Sequence, residues 1–171
     1  MQIVKKAVLN NLEISQISEL MAKVHRHDHT FRDPYLSNQF NYFSQMPTFF
    51  LAYEAGVLIG MVTLYADGEV SEIVDVFINV LPKWRLRGIA KYLWETSKQV
   101  LKEYGYSKYE FVSETAFLRL NPEFLANTNL KVGPVGECQM SAPIFSDNNF
   151  QLPKKLAVRG FRPTDLDTLV R

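Results

Sequence analysis

Residues 73 to 103 constrain this chain more than any other stretch. Ile73 to Val80 is an almost unbroken apolar run, Ile-Val-Asp-Val-Phe-Ile-Asn-Val, the composition of a strand covered on both faces. Pro82 ends it, because proline has no N–H to give to a ladder. A helix is expected to start near Gly88. Ile89, Tyr92, Leu93, Thr96, Val100 and Leu101 recur on one stripe, while Lys91, Glu95, Lys98 and Glu103 supply a wet side. Gly105 stops that helix. The corner between strand and helix also has a chemistry. The first helical N–H groups lack intrahelical partners, and the helix dipole adds partial positive charge there. Arg85 and Arg87 add full charges beside them, and Gly88 and Ala90 keep side chains out of the way. Such a corner is a seat for a phosphate or pyrophosphate. The plain alternative is an ordinary strand-turn-helix corner with incidental arginines.

Around this corner the pattern reads as α+β. Gln2 to Lys6 is a short first strand. A helix follows from Asn11 to about Val24, with Ile14, Ile17, Met21 and Val24 at helical spacing and Asn11 as its cap. His25 to Pro47 is read as a loop with one or two helical turns. Thr48–Tyr53 and Val57–Tyr65 make a hairpin through Glu54-Ala55-Gly56, and residues 66 to 69 make a second turn. Tyr106 to Ser113 reads as a strand, Asn121 to Asn127 as a short helix, and Val135 to Ala142 as a further strand. The order is an antiparallel plan with one crossover in its middle.

Composition removes several classes of function. Of 171 residues, 47% are apolar and 22% charged, the balance of an ordinary globular domain. A formal net charge of +1 gives no bulk attraction to nucleic acid or to an anionic membrane. One cysteine, Cys138, excludes an intrachain disulfide and a cysteine metal cluster. No stretch approaches the roughly 20 apolar residues of a membrane span, and the N-terminus lacks the apolar run of a signal peptide. The expected location is cytoplasmic.

Two phosphate motifs are missing: there is no Gly-x-x-x-x-Gly-Lys-Ser/Thr, and no Gly-x-Gly-x-x-Gly follows a strand. The motif that is present, Val80-Leu-Pro82 followed by Arg85-Leu-Arg-Gly88-Ile-Ala90, resembles the acetyl-CoA loop of the GNAT acetyltransferase family, Gln/Arg-x-x-Gly-x-Gly/Ala after a strand ending Val-x-Pro. The hairpin at residues 48 to 65, the strand at 106 to 113 and the segment Asn121 to Leu130 are similar to further elements of that family. The resemblance covers most of residues 2 to 145. It implies a mixed, mostly antiparallel twisted sheet flanked by helices, with the fourth and fifth strands splayed apart. It implies acetyl-CoA as acyl donor and a primary amine as acceptor, with no metal. The pantetheine arm is expected along Ile78, Asn79 and Val80, pairing with main-chain groups of Ile78 and Val80. The pyrophosphate is expected on the N–H groups of Arg85, Leu86, Arg87, Gly88, Ile89 and Ala90. Asn121 matches the family's asparagine that hydrogen-bonds the pantetheine.

The resemblance is weaker for catalysis. The family's glutamate base falls at Val74, which has no proton acceptor. Asp75 is the first choice to replace it and Glu72 the alternative, a bulge of the kind the family carries deciding which face Asp75 occupies. The family's tyrosine acid falls at Leu125, so either water or another group protonates the leaving thiolate, or activity has been lost. His25, His27 and His29 alternate with Asp28 on what reads as an extended segment. They present three readings: a solvated loop, a metal site, or an acceptor contact titrating near neutrality.

The leading expectation is an N-acetyltransferase acting on an unnamed amine. The alternative is a degenerate GNAT-like module that binds CoA, or nothing. A nucleic-acid adaptor is disfavoured by the charge. Residues 1 to 150 are expected to form the acetyltransferase domain and 151 to 171 a linker. Leu156 to Arg171, with Thr164 or Asp165 as a helix cap, resembles the start of another GNAT domain. That suggests the first half of a tandem protein; a C-terminal arm packing on this domain or on a second subunit is the competing reading.

Overall fold

The computed structural model describes residues 1–128, 130–134 and 136. Met1–Lys131 packs as one unit. The expected strand at Val135 to Ala142 and the tandem or arm reading of the C-terminal segment fall outside the described residues. Five strands form one sheet in the order β1-β2-β3-β4-β5: β1 Gln2–Lys6, β2 Phe49–Glu54, β3 Val57–Tyr65, β4 Ile73–Val80 and β5 Lys108–Phe111. The first four pair antiparallel and β5 joins β4 in parallel. This is the mostly antiparallel α+β sheet with one crossover that the sequence implies. The hairpin turns at Ala55 and Gly56, both at positive φ (47° and 77°), the backbone that suits a two-residue connection between right-twisted strands.

Helix α1, Asn11–Asp28, covers one face of the sheet. Its Ile17, Leu20, Met21 and Val24 pack with Phe49, Leu51, Leu58, Met61 and Leu81. Helix α2, Ile89–Glu103, covers the other. Its Ile89, Leu93, Val100 and Leu101 pack with Phe50, Ile59, Val62, Val74, Val76 and Val80. With both faces covered, β3 is buried from Leu58 to Leu64. Gly60 of β3 permits close approach of the second helix: a Cβ there would lie 3.2 Å from Asn79 O and 3.3 Å from Ile89 Cγ2.

Four local expectations are corrected. Asn10, not Asn11, caps α1. Its Oδ1 accepts from Glu13 N at 2.8 Å while Glu13 Oε2 accepts from Asn10 N at 2.9 Å, a reciprocal box that needs the acid three residues on. The helix continues four residues beyond Val24, with His25 held by Thr30 and Asp33 and Asp28 held by Arg85, all outside it. On α2 the buried stripe runs Ile89, Leu93, Ser97, Val100, Leu101; Tyr92 is 57% exposed and Thr96 is half-buried and donates to Tyr92 O. Finally, β5 is shorter than read, and an unforeseen helix α3, Thr115–Leu120, precedes α4, Pro122–Ala126. Gly105 does stop α2: Tyr106 N donates to Leu101 O at 2.9 Å and Gly105 N to Lys102 O at 3.1 Å, the paired closure of a Schellman motif.

The corrected stripe is testable by urea unfolding. Leu93→Ala empties a position with no exposed surface and is expected to cost about 2–5 kcal/mol. Tyr92→Ala on the same helix is expected to change stability by no more than about 0.5 kcal/mol.

Candidate active site

The parallel ladder between β4 and β5 is short. Ile73 faces Lys108 and the pairing ends at Val76 with Phe111; Val112 N then donates to Val76 O at 3.0 Å. β4 continues to Val80 with β3 on its other side, in unbroken register from Tyr65–Asp75 to Gly60–Val80. Among the described residues, Phe77 to Val80 have no strand partner toward β5. Backbone groups alternate along a strand, so Ile78 and Val80 share the side on which Val76 O meets β5, and Leu81 N returns to β3 by donating to Ile59 O. Val80 O is taken by Arg85 Nε at 3.0 Å. The N–H and C=O of Ile78 and the N–H of Val80 therefore line the opening. The side chains of Ile78 and Asn79 are half-buried beside it.

The loop after β4 begins with a 3-10 turn, Pro82–Trp84, and delivers the chain to α2 through two left-handed residues, Leu86 (φ 60°) and Gly88 (φ 79°). Gly88 is the N-cap, so no side chain caps α2, and its first turn contains no acid. The N–H groups of Ile89, Ala90 and Lys91 have no intrahelical acceptor. In front of Gly88 the space is open, with nothing within 4 Å of where a Cβ would stand. Arg87 stacks on Trp84, its guanidinium 4.9 Å from the ring centre. Leu86 is fully exposed.

Arg85 departs from the expectation that its charge serves this loop. Its guanidinium grips Asp28 with both nitrogens, Nη1 to Oδ1 at 2.7 Å and Nη2 to Oδ2 at 2.5 Å, and lies over the Phe117 ring at 5.7 Å. The positive charge left at the loop is that of Arg87, exposed Lys83 and the helix terminus. Burial pushes the Asp28 carboxyl up, but the hydrogen bonds and charges of Arg85 and His27 outweigh it and hold the group below its ordinary range.

Asp75 is half-buried on the opposite face from Val74 and Val76, level with Phe77 and Asn79. Tyr65 and Glu110 are its cross-strand neighbours. The register carries no bulge here; the irregularity lies between Ala52 and Tyr53 of β2. Asp75 thus stands one residue before the point where β5 departs. Burial raises the Tyr65 phenol, helped by Asp67, Tyr35 and the charge of Asp75. Glu72 precedes the strand in an exposed turn, its N–H bonded to Glu69 O and its carboxylate folded beside Gly68. Asn121 joins α3 to α4 and spends its Nδ2 on Phe117 O at 2.8 Å. Leu125 lies in α4.

The histidines are helical, not extended. His25 hydrogen-bonds Thr30 through Nδ1 and Asp33 through Nε2, both at 3.0 Å. His27 Nδ1 lies 2.8 Å from Asp28 Oδ1, and His29 ends the helix at φ 55°. Among the described residues no group of three or more His, Cys, Asp and Glu side chains is placed to hold a metal, and no helix is long and apolar enough to cross a membrane. A contact missed by sequence reading is that of Glu114, at the N-terminus of α3, which accepts from Phe31 N at 2.9 Å and Arg32 N at 2.9 Å. Nothing periodic in the sequence marks it.

An open-edged strand thus leads into an uncapped helix N-terminus. The model of the acetyltransferase (GNAT) family matches residues 14–119, and the chain belongs to that family. No curated relative matches significantly. Among solved structures, an acetyltransferase of the GNAT family from Staphylococcus aureus Mu50 superposes with TM-score 0.56 at 16% identity, over 74% of this chain and 80% of that one. An aminoglycoside acetyltransferase from an uncultured soil metagenomic sample, in complex with trehalose, gives 0.50 at 17% identity over 85% and 95%. An aminoglycoside N-acetyltransferase in complex with CoA gives 0.51 at 18% over 82% and 100%. At these identities the likeness is one of fold.

The Asp28–Arg85 pair yields a stability prediction. Asp28→Asn is expected to cost about 3 kcal/mol, the low end for breaking a buried pair, since Arg85 keeps 20% of its side-chain surface in solvent. A carboxyl lowered on folding stabilises fully above its unfolded pKa, ordinarily 3.8, and that contribution is lost as pH falls through the folded value. Melting curves across acid pH are therefore expected to converge for parent and variant below that window.

Proposed function

We propose that this chain is an N-acetyltransferase that takes an acetyl group from acetyl-CoA and delivers it to a primary amine of a small molecule or peptide. The observation that carries the reading is the junction at residues 76 to 91, where a strand edge with no strand partner beyond Val76 toward β5 among the described residues runs into a helix terminus with no capping side chain. Ile78 and Val80 offer an N–H, a C=O and a second N–H to the amides of an extended arm. The N–H groups from Gly88 to Lys91 offer the pyrophosphate its donors, with Arg87 as the adjacent cation. The five residue steps from Asp75 to Val80 span about 17 Å at strand rise, a distance an extended pantetheine covers. A thioester at the inner end of the opening lies beside Asp75.

In this reading Asp75 is the general base. It accepts the ammonium proton of the acceptor, directly or through one water. The neutral amine attacks the thioester carbonyl, the C–N bond forms and the C–S bond breaks. The second proton, shed by the nitrogen as the amide forms, reaches the leaving thiolate through water to give CoA–SH, since Leu125 stands where the family's phenol would be. Glu72 is set aside because it lies in the exposed turn before the strand. Val74 and Leu125, at the family's base and acid positions, favour a second reading, a CoA-binding module without turnover. Release of CoA on a panel of amines separates the two.

CoA at a hundred times its dissociation constant is expected to add about 2.7 kcal/mol of stability, read as a rise of several degrees in melting temperature. No rise at millimolar CoA ends the donor assignment. Gly88→Glu places a carboxylate where the pyrophosphate approaches and is expected to abolish that rise, at a cost of about 1–2 kcal/mol for a side chain at left-handed φ. Asp75→Asn is expected to lower turnover by roughly a hundredfold or more while CoA affinity stays within a few fold. Full activity in Asp75→Asn would move the base elsewhere.

A further inference from the structure

An opening between two splayed strands has no ladder to set its width; some other part of the chain has to. β4 and β5 part after Val76 and Phe111, and the chain beyond each strand is tied to the same short segment at the end of α1. On the β4 side, Asp28 holds Arg85 through both carboxylate oxygens, and Arg85 Nε holds Val80 O. On the β5 side, Glu114 accepts from Phe31 N through both oxygens, at 2.9 and 3.1 Å, and from Arg32 N at 2.9 Å. We propose that Asp28 and Glu114 are positioning residues that make residues 28 to 32 a crossbeam over the opening and so set its fit to CoA. The proposal rests on the acetyl-CoA reading above.

The crossbeam is short and anchored. From Asp28 to Arg32 there are four residue steps, which at full extension reach no more than about 14 Å. One end is fixed because Asp28 is 1% exposed and continuous with the buried side of α1. His29, in the left-handed conformation, turns the chain out of the helix toward Glu114. Arg85 lying over Phe117 of α3 joins the two flanks a second time. Both oxygens of each carboxylate are engaged in these contacts. Through this segment, whatever holds the β5 flank also bears on the loop that carries Gly88. Coupling of that kind is a difference in affinity between two states of one element.

Glu114→Ala is the clean test, because it removes no core side chain: it frees the N–H groups of Phe31, 79% exposed, and of half-buried Arg32 for water to take, and is expected to leave the fold intact. Calorimetric titration with CoA is expected to show a dissociation constant raised roughly tenfold, within the usual range of such couplings, with a melting temperature near the parent's. Asp28→Asn, titrated in the cold where it stays folded, is expected to shift the same way. Ile17→Val loosens the core side of α1 without touching the crossbeam and is expected to bind CoA like the parent. If the parent binds CoA and Glu114→Ala binds it equally well, the crossbeam is wrong and the donor site stands. It is also wrong if Ile17→Val weakens binding as much, since the effect is then general loosening. A parent that does not bind CoA overturns the donor reading and the crossbeam together.

Discussion

The pairing of Asp28 with Arg85 ties together parts of the chain that would otherwise meet only through the sheet. It joins the last residue of a helix on one face to the loop between β4 and the helix on the other face. The pair is 57 residues apart in sequence, and the acid is almost wholly buried. A buried charge is tolerable when it is paired and further hydrogen-bonded, and here it is both: two guanidinium nitrogens on one side, His27 on the other. The same guanidinium takes the carbonyl of Val80. The cost of burying the pair is accompanied by a defined path for the backbone between Val80 and Gly88, which is where the donor site is proposed.

The two long helices treat their N-termini in opposite ways. Helix α1 is closed by Asn10 and Glu13, with Lys6 completing the ion pair at 3.0 Å. Glu13, which completes the box, is itself buried. Helix α2 has a glycine in place of a capping side chain, no acid in its first turn and a basic neighbour. Caps of the first kind contribute about 1 kcal/mol; leaving α2 without one forgoes that stabilisation and keeps its donors available. The contrast within one domain separates a helix end closed by its own side chains from the one proposed to meet a ligand.

Much of this is legible in the sequence because it is local. The alternation of the hairpin, the apolar run of β4, Pro82, Gly88 and Gly105 each act within a few residues of themselves, and each element they predict is present. The donor loop belongs to the same category: its glycine, its small neighbour and the strand before it form one continuous stretch. The features that escape a sequence reading are non-local. Arg85 reads as a ligand-facing charge because nothing nearby in sequence announces Asp28. The histidines read as an extended tract because periodicity fades after Val24, whereas Thr30, Asp33 and Asp28 supply partners that hold the helix four residues further. Asn11 competes with Asn10 as cap, although the acid at position 13 marks the earlier residue. Thr96 competes with Ser97 for the buried stripe, because polarity alone does not separate two adjacent hydroxyl residues by burial. For Asp75 the sequence leaves the face open, and the continuous pairing with β3 supplies it.

Gly60 pairs with Val80 from the far side of β4 and gives no group to the opening, yet it sets how closely α2 approaches. A single methyl group on it would press on the carbonyl of Asn79, on Val80 and on the first residue of α2, all at 3.2 or 3.3 Å. None of the three has a flexible end to yield, so the helix would tilt or shift outward by a few tenths of an ångström. The partial charge at its start would move with it. The calibration of the proposed donor site therefore resides partly in a missing atom on a neighbouring strand, and a lineage could retune such a site without altering any residue proposed to meet a ligand.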